Sequence, residues 1–161
     1  MNKLSAVLAV TLLTGACSTT FSTPNEVGED GLKVLTIHAG FGGHVNTIYY
    51  EYLAAHNSYD KIVVDGQIIS SDAYFAFMTK KACYTENAIW SPHAISSLGL
   101  EPRREETRDI ANFMPQPLRE WFLNSSYSWR WLTWPSLTYD DLYKLWPAGA
   151  CINWDPKRRT R

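Results

Sequence analysis

Beyond residue 31 the apolar positions switch between two rhythms. Leu32 to His38 reads Leu-Lys-Val-Leu-Thr-Ile-His, a strand signal that stops at Ala39-Gly40-Phe41-Gly42-Gly43. Such a glycine cluster is needed only by a tight turn or a close backbone approach. Val45, Ile48, Tyr49, Tyr52 and Ala55 then recur at helical spacing and predict an amphipathic helix over residues 45–56. After the turn Asn57-Ser58-Tyr59-Asp60, the run Lys61-Ile62-Val63-Val64-Asp65 has the β-branched character of a buried strand, and Gly66 is expected to break it. Ser70-Ser71-Asp72 supplies helix-start chemistry ahead of Ala73 to Lys80. Residues 82–85 and 88–91 read as two short strands around a Glu86-Asn87 turn, ending at Pro92-His93. Strand, helix, strand, helix, strand in this order predicts an α/β domain with a parallel core sheet and flanking helices.

The two ends of the chain follow other patterns. Residues 101–120 are charged and helical. After them Trp121, Trp129, Trp131, Trp134, Trp146 and Trp154 crowd together with Pro135, Pro147 and Pro156. A packed aromatic cap over the core is the expectation for this segment, because tryptophan is on average well buried. At the other end Lys3, the apolar run Leu4 to Leu13 and the small residues Thr14-Gly15-Ala16 describe a cleaved export signal over residues 1–16. That apolar run is short of the roughly 20 residues a bilayer span needs. Small residues directly before Cys17 resemble the lipobox of bacterial lipoproteins, with Thr14 where leucine is usual. The resemblance implies that Cys17 becomes the acylated N-terminus, carrying palmitate-class chains, and that the membrane is a partner through this lipid. By the sorting rule of such proteins, Ser18 implies the outer membrane, facing the periplasm. Residues 17–31 then form a lipidated flexible tether and residues 32–161 a single domain.

Composition narrows the functional classes. Hydrophobic content of 45% suffices for a packed core, and a net charge of −1 gives no electrostatic reason to expect nucleic acid as partner. With Cys17 lipidated, Cys83 and Cys151 remain as an even pair in an oxidising compartment; a disulfide between them is favoured over two separate thiols. His38, His44, His56 and His93 make no metal-ligand spacing, and His44 and His56 read as helix-surface residues. The glycine cluster lacks the Lys-Ser/Thr ending of a phosphate loop. No metal and no cofactor are therefore expected.

Three features do carry chemistry in a meaningful order: Gly42-Gly43 after a strand, the pair Ser70-Ser71 after Gly66, and His93 at a strand end. Acyl transfer needs a hydroxyl nucleophile, a neutral imidazole to take its proton, and two N–H donors for the oxyanion. The same serines also suit a plain helix cap, and a histidine at a strand end can be merely structural.

The residues themselves resemble a family. Leu35 to Val45 is similar to the strand and Ser-Pro-Gly-Gly-x-Val turn of the Clp protease proteolytic subunits, which share the crotonase-like fold. Ile62-Val63-Val64-Asp65-Gly66-Gln67-Ile68-Ile69-Ser70 resembles the Gly-x-Ala-Ala-Ser strand of that family, and Lys81 to His93 its histidine-bearing stretch. The likeness covers roughly residues 33–95. It implies a Clp/crotonase-like α/β fold with the Trp-rich segment as a C-terminal cap, Ser70 as nucleophile and His93 as general base. The N–H groups of Gly43 and Ser71 would form the oxyanion hole, and Ser71 is the rival nucleophile. The family's Ser-Pro is Gly40-Phe41 here, its two alanines are Ile68 and Ile69, and Pro92 precedes the histidine. No acid aligns as third member: the matching place falls near Trp134, Asp140 and Asp141 are out of register, and Asp109 or the backbone remain as orienters of His93. The resemblance implies a cell-envelope serine hydrolase, peptidase-like, acting on a polypeptide or envelope protein, with homo-oligomers a property of the relatives. The alternative is a catalytically inactive lipoprotein that uses the same fold as a binding or assembly module.

Overall fold

The computed structural model describes residues 20–27, 31–97, 101–125 and 135–152. The export signal, Cys17, and Trp129, Trp131, Trp134 and Trp154 lie outside the described residues. The chain is α/β, with a small sheet of mostly parallel strands and several helices. Strands β1 (Thr20–Val27) and β2 (Lys33–Gly40) pair antiparallel, and helix α1 (Val45–Ser58) then crosses to β3 (Lys61–Ile69), parallel to β2. Helix α2 (Ser71–Phe75) leads to β4 (Ala82–Tyr84) and β5 (Ile89–Ser91), both parallel to β3 on its other side. A short hairpin of β6 (Ser96–Ser97) and β7 (Glu101–Pro102) precedes α3 (Arg104–Ala111), α4 (Gln116–Asn124) and α5 (Tyr139–Leu145).

β3 is the central strand, and its composition explains the position. Ile62, Val63, Val64 and Ile68 are all fully buried, which requires cover on both faces of the strand. β2 contributes Leu35 and Ile37 to the core, α1 contributes Ile48, Tyr52 and Ala55, and α4 contributes Leu118 and Phe122. Each such leucine, isoleucine or phenylalanine side chain adds about 1.5–3 kcal/mol when removed from water. The helical spacing read for α1 matches its buried face, with one correction. His56 is 3% exposed rather than a surface residue. Thr79 donates to its Nδ1 at 2.7 Å, and its Nε2 donates to the Phe75 carbonyl at 3.3 Å. Two satisfied ring nitrogens make this apolar position tolerable for an imidazole.

Three further differences have physical reasons. Gly66 does not end the strand; β3 runs through it to Ile69, because the missing side chain lets β2 pack close, and a Cβ there would meet the His38 carbonyl oxygen at 1.9 Å. The two short strands at 82–91 are not partners of each other: β4 pairs with the first half of β3 and β5 with the second. The 85–87 turn between them is held by Asp65, whose carboxylate accepts from the Thr85 hydroxyl and from Asn87 Nδ2 at 3.0 Å. Finally, the segment read as a tether contains β1. Its pairing with β2 shifts register between Ser22 and Glu26, where Pro24 and Asn25 interrupt the alternation that would have disclosed a strand.

Cys83 of β4 and Cys151 are joined by a disulfide. The same segment adds to the edge of β4 through a bridge between Tyr84 and Ala150 and a bond from the Cys151 N–H to the Tyr84 carbonyl at 2.9 Å. Of the tryptophans within the described residues, Trp146 packs edge-on to Phe77 at 5.4 Å and Trp121 lies 5.8 Å from the fully buried Trp90. Both contacts are to buried core aromatics, Phe77 and Trp90.

Candidate active site

The sheet brings Ser70 and His93 to one end. Ile69, the last residue of β3, pairs with Ser91, the last of β5, and the Ser70 N–H donates to the Ser91 carbonyl at 3.1 Å. Ser70 thus leaves β3 beside the point where Pro92 and His93 leave β5. This is the carboxyl end of parallel strands, where open α/β sheets place their ligand sites. Tyr74 donates from its hydroxyl to the His93 carbonyl at 2.7 Å, and Trp90 Nε1 donates to the Ala73 carbonyl at 2.8 Å, so α2 and the end of β5 are tied together.

Ser70 sits at φ 60°, ψ −127° between strand and helix. Among the described residues it is the one non-glycine with positive φ. Such a conformation costs about 1–3 kcal/mol and persists only where the surroundings impose it. Serine at this place ordinarily caps the helix, yet Ser70 makes no side-chain cap bond. Its half-buried hydroxyl is without a hydrogen-bond partner among the described residues, His93 included. A sharp strand-to-helix turn that lifts a serine hydroxyl clear of the backbone is the arrangement of a nucleophile elbow.

The glycine turn is locked against this elbow. Gly42 has φ +76°, and a Cβ there would lie 2.4 Å from Ser70 Cβ and 2.8 Å from its Oγ. Only glycine allows both the backbone conformation and the approach. The Gly42 N–H donates to Asp72 Oδ2 at 2.6 Å, and the Tyr52 hydroxyl donates to Asp72 Oδ1 at 2.8 Å. Asp72 is completely buried, so these bonds offset the cost of desolvating its carboxyl group. Burial, and then the neighbouring Asp72, pushes the Tyr52 hydroxyl well above its ordinary pKa, which keeps it a donor. Ser71 is also buried and donates its hydroxyl to the Gly43 carbonyl at 3.2 Å. The rival nucleophile is therefore turned inward and engaged, while its backbone lies next to Ser70.

His93 is partly buried, and its Nδ1 bonds the Ala94 carbonyl at 2.9 Å. A carbonyl only accepts, so Nδ1 carries the proton and Nε2 is the basic nitrogen of the neutral ring. Desolvation lowers the His93 pKa below its ordinary 6.5, against a smaller opposing effect of the Ala94 bond. The ring is thus neutral near pH 7 in the tautomer a general base needs. The orienting group on Nδ1 is a backbone carbonyl. Asp141 is occupied in a capping box with Thr138, Asp140 lies in the same first turn of α5, and Asp109 is exposed on α3. Trp134, near which the matching place for a third member falls, lies outside the described residues; beyond it, Leu137 bridges Trp90, and the Ser136 and Ser91 hydroxyls bond at 2.8 Å.

Ser70, Ser71, Gly43 and His93 stand out in the sequence; Asp72 and Tyr52, which the fold places beneath the same turn, do not. Asp72 read as ordinary helix-start chemistry, and Tyr52 as one more residue of an apolar helix face. Neither pattern reveals that they meet across 20 positions of chain beneath the glycine turn. No family model, no curated protein and no solved structure matches this chain.

Proposed function

We propose that the chain is a lipid-anchored serine hydrolase of the bacterial cell envelope, peptidase-like, built on a Clp/crotonase-type fold. The observation that carries the reading is the backbone of Ser70, held at φ 60° on a strand-to-helix elbow with its hydroxyl uncommitted. Ser70 Oγ attacks the substrate carbonyl and its proton passes to His93 Nε2. The tetrahedral oxyanion lies against the backbone N–H groups of Gly43 and Ser71. Collapse expels the leaving amine or alcohol, which takes the proton from His93. Water, deprotonated by the same imidazole, then attacks the acyl-enzyme and restores Ser70. Asp72 and Tyr52 act through Gly42, keeping the glycine turn in register with the nucleophile.

Two observations favour the second reading, an inactive module of the same fold: Ser70 and His93 are not hydrogen-bonded to each other, and Nδ1 of His93 bonds a backbone carbonyl. Unliganded hydrolases often show such loose pairs, which tighten only with substrate. A fluorophosphonate probe separates the two. Covalent labelling of the folded wild type that is lost in Ser70→Ala and kept in Ser71→Ala is expected. No labelling of the folded protein rejects the hydrolase, and loss only in Ser71→Ala moves the nucleophile by one residue.

A further inference from the structure

Resting on the Ser70–His93 reading and on acylation of Cys17, we infer that the candidate active site faces the bilayer and takes its substrate at the membrane surface. β1 runs antiparallel to β2, with Thr20 opposite Ala39 and Val27 opposite Lys33. The first residue of β1 therefore lies beside the carboxyl end of β2. One residue past Ala39 the chain enters Gly40–Gly43, the turn packed on Ser70. The anchored end of the chain and the candidate nucleophile consequently share one end of the sheet.

The reach of the anchor is short. Cys17 precedes Thr20 by three residues, which span at most about 10 Å when fully extended. β2 is eight residues long, so its two ends are about 23 Å apart. A lipid attached at Cys17 holds the Ser70 end within about 10 Å of the headgroups and leaves the opposite end pointing into the periplasm. Phe41, in the turn at the Ser70 end, is 53% exposed, and a large aromatic there suits the apolar side of a headgroup layer. At the far end the Lys33 N–H bonds the exposed Asp60 carboxylate at 2.9 Å, and the apolar side chain beside it, Leu32, is less exposed than Phe41, at 39%. Had residues 18–31 been a free tether, the domain could have turned in any direction; β1 removes that freedom. The substrate class that follows is an ester or peptide presented at the lipid surface, on a lipid headgroup region or the membrane-proximal part of an envelope protein. Chains diffusing in the periplasm have the poorer access.

The test uses the mature acylated protein in phosphatidylethanolamine–phosphatidylglycerol vesicles, with a nitroxide on Phe41→Cys or on Asp60→Cys. Asn46→Cys, exposed one residue into α1 at the Ser70 end, serves if Phe41→Cys does not fold. Power saturation should show severalfold lower access of a water-soluble nickel chelate at position 41 than in the unacylated Cys17→Ala protein, with position 60 unchanged. Inserting about twenty Gly-Ser residues after Thr19 should restore access at position 41 while fluorophosphonate labelling of Ser70 persists. Equal access at 41 and 60, or a mature Cys17 without lipid by mass spectrometry, overturns the inference. Protection at 41 without any Ser70 labelling overturns the hydrolase and the surface substrate with it, and leaves the membrane-facing orientation standing. Labelling without protection overturns the orientation alone.

Discussion

At the residue scale, Ser70 carries a conflict between local and tertiary preference. A serine pair before an acid is ordinary capping sequence, and local chemistry would place Ser70 in an extended cap conformation with its hydroxyl on the helix. The bond from its N–H to Ser91 and the packing of Gly42 against its side chain hold it at positive φ instead. Glycine at this position escapes the strain. Ser70→Gly is therefore expected to raise the melting temperature by a few degrees, about 1 kcal/mol, while abolishing fluorophosphonate labelling. Ser70→Ala, which keeps the strained backbone, should lose labelling with little change in melting temperature. Calorimetry of the two variants checks this; a Ser70→Gly protein less stable than wild type would contradict the strain. The residue types at 70 and 93 were legible because they stand in fixed order with the glycines. The conformation of Ser70 was not, since it is imposed by residues 20–30 positions away.

Elements tell a different story about range. The spacing of Val45, Ile48, Tyr52 and Ala55 made α1 readable, because an amphipathic face repeats over several turns of one segment. The three-residue strands β4 and β5 were visible as apolar runs, but not their pairing, since both lean on successive halves of β3. β1 was missed for a related reason: its register shift removes the alternation that marks a strand. The disulfide ties the C-terminal segment to β4. Cys83 and Cys151 are 68 residues apart, so their bond removes about 4 kcal/mol of chain entropy from the unfolded state. The double variant Cys83→Ser/Cys151→Ser should lose stability of that order in denaturant titration. Its C-terminal segment, paired to Tyr84, should be the first part to exchange amide protons.

For the whole molecule, the sign of the histidine shifts sets the response to acid. Burial lowers the pKa of both His56 and His93 below 6.5, the value expected in the unfolded chain. Between the folded and unfolded values the unfolded state binds more protons, so this contribution is complete above pH 6.5 and is lost as pH falls through the folded values. Melting temperature should thus be flat from pH 8 to 7 and drop below 6.5. Fluorophosphonate labelling should persist to lower pH than an ordinary imidazole would allow, because His93 stays neutral there; labelling that halves at or above pH 6.5 would contradict the shift. The sequence by itself determined the α/β class, the parallel β2–α1–β3 core and the residue types of the candidate site, and it favoured a Cys83–Cys151 disulfide over two separate thiols. The first three depend on composition and periodicity within short stretches, the last on the even pair of cysteines left beside Cys17. Only the tertiary structure decided that Asp72 and Tyr52 lock the glycine turn, that Ser71 points inward, and that β1 begins at the Ser70 end of the sheet, with Thr20 opposite Ala39. Those are contacts between segments distant in sequence, chosen by the packing of the sheet, and no local pattern encodes them.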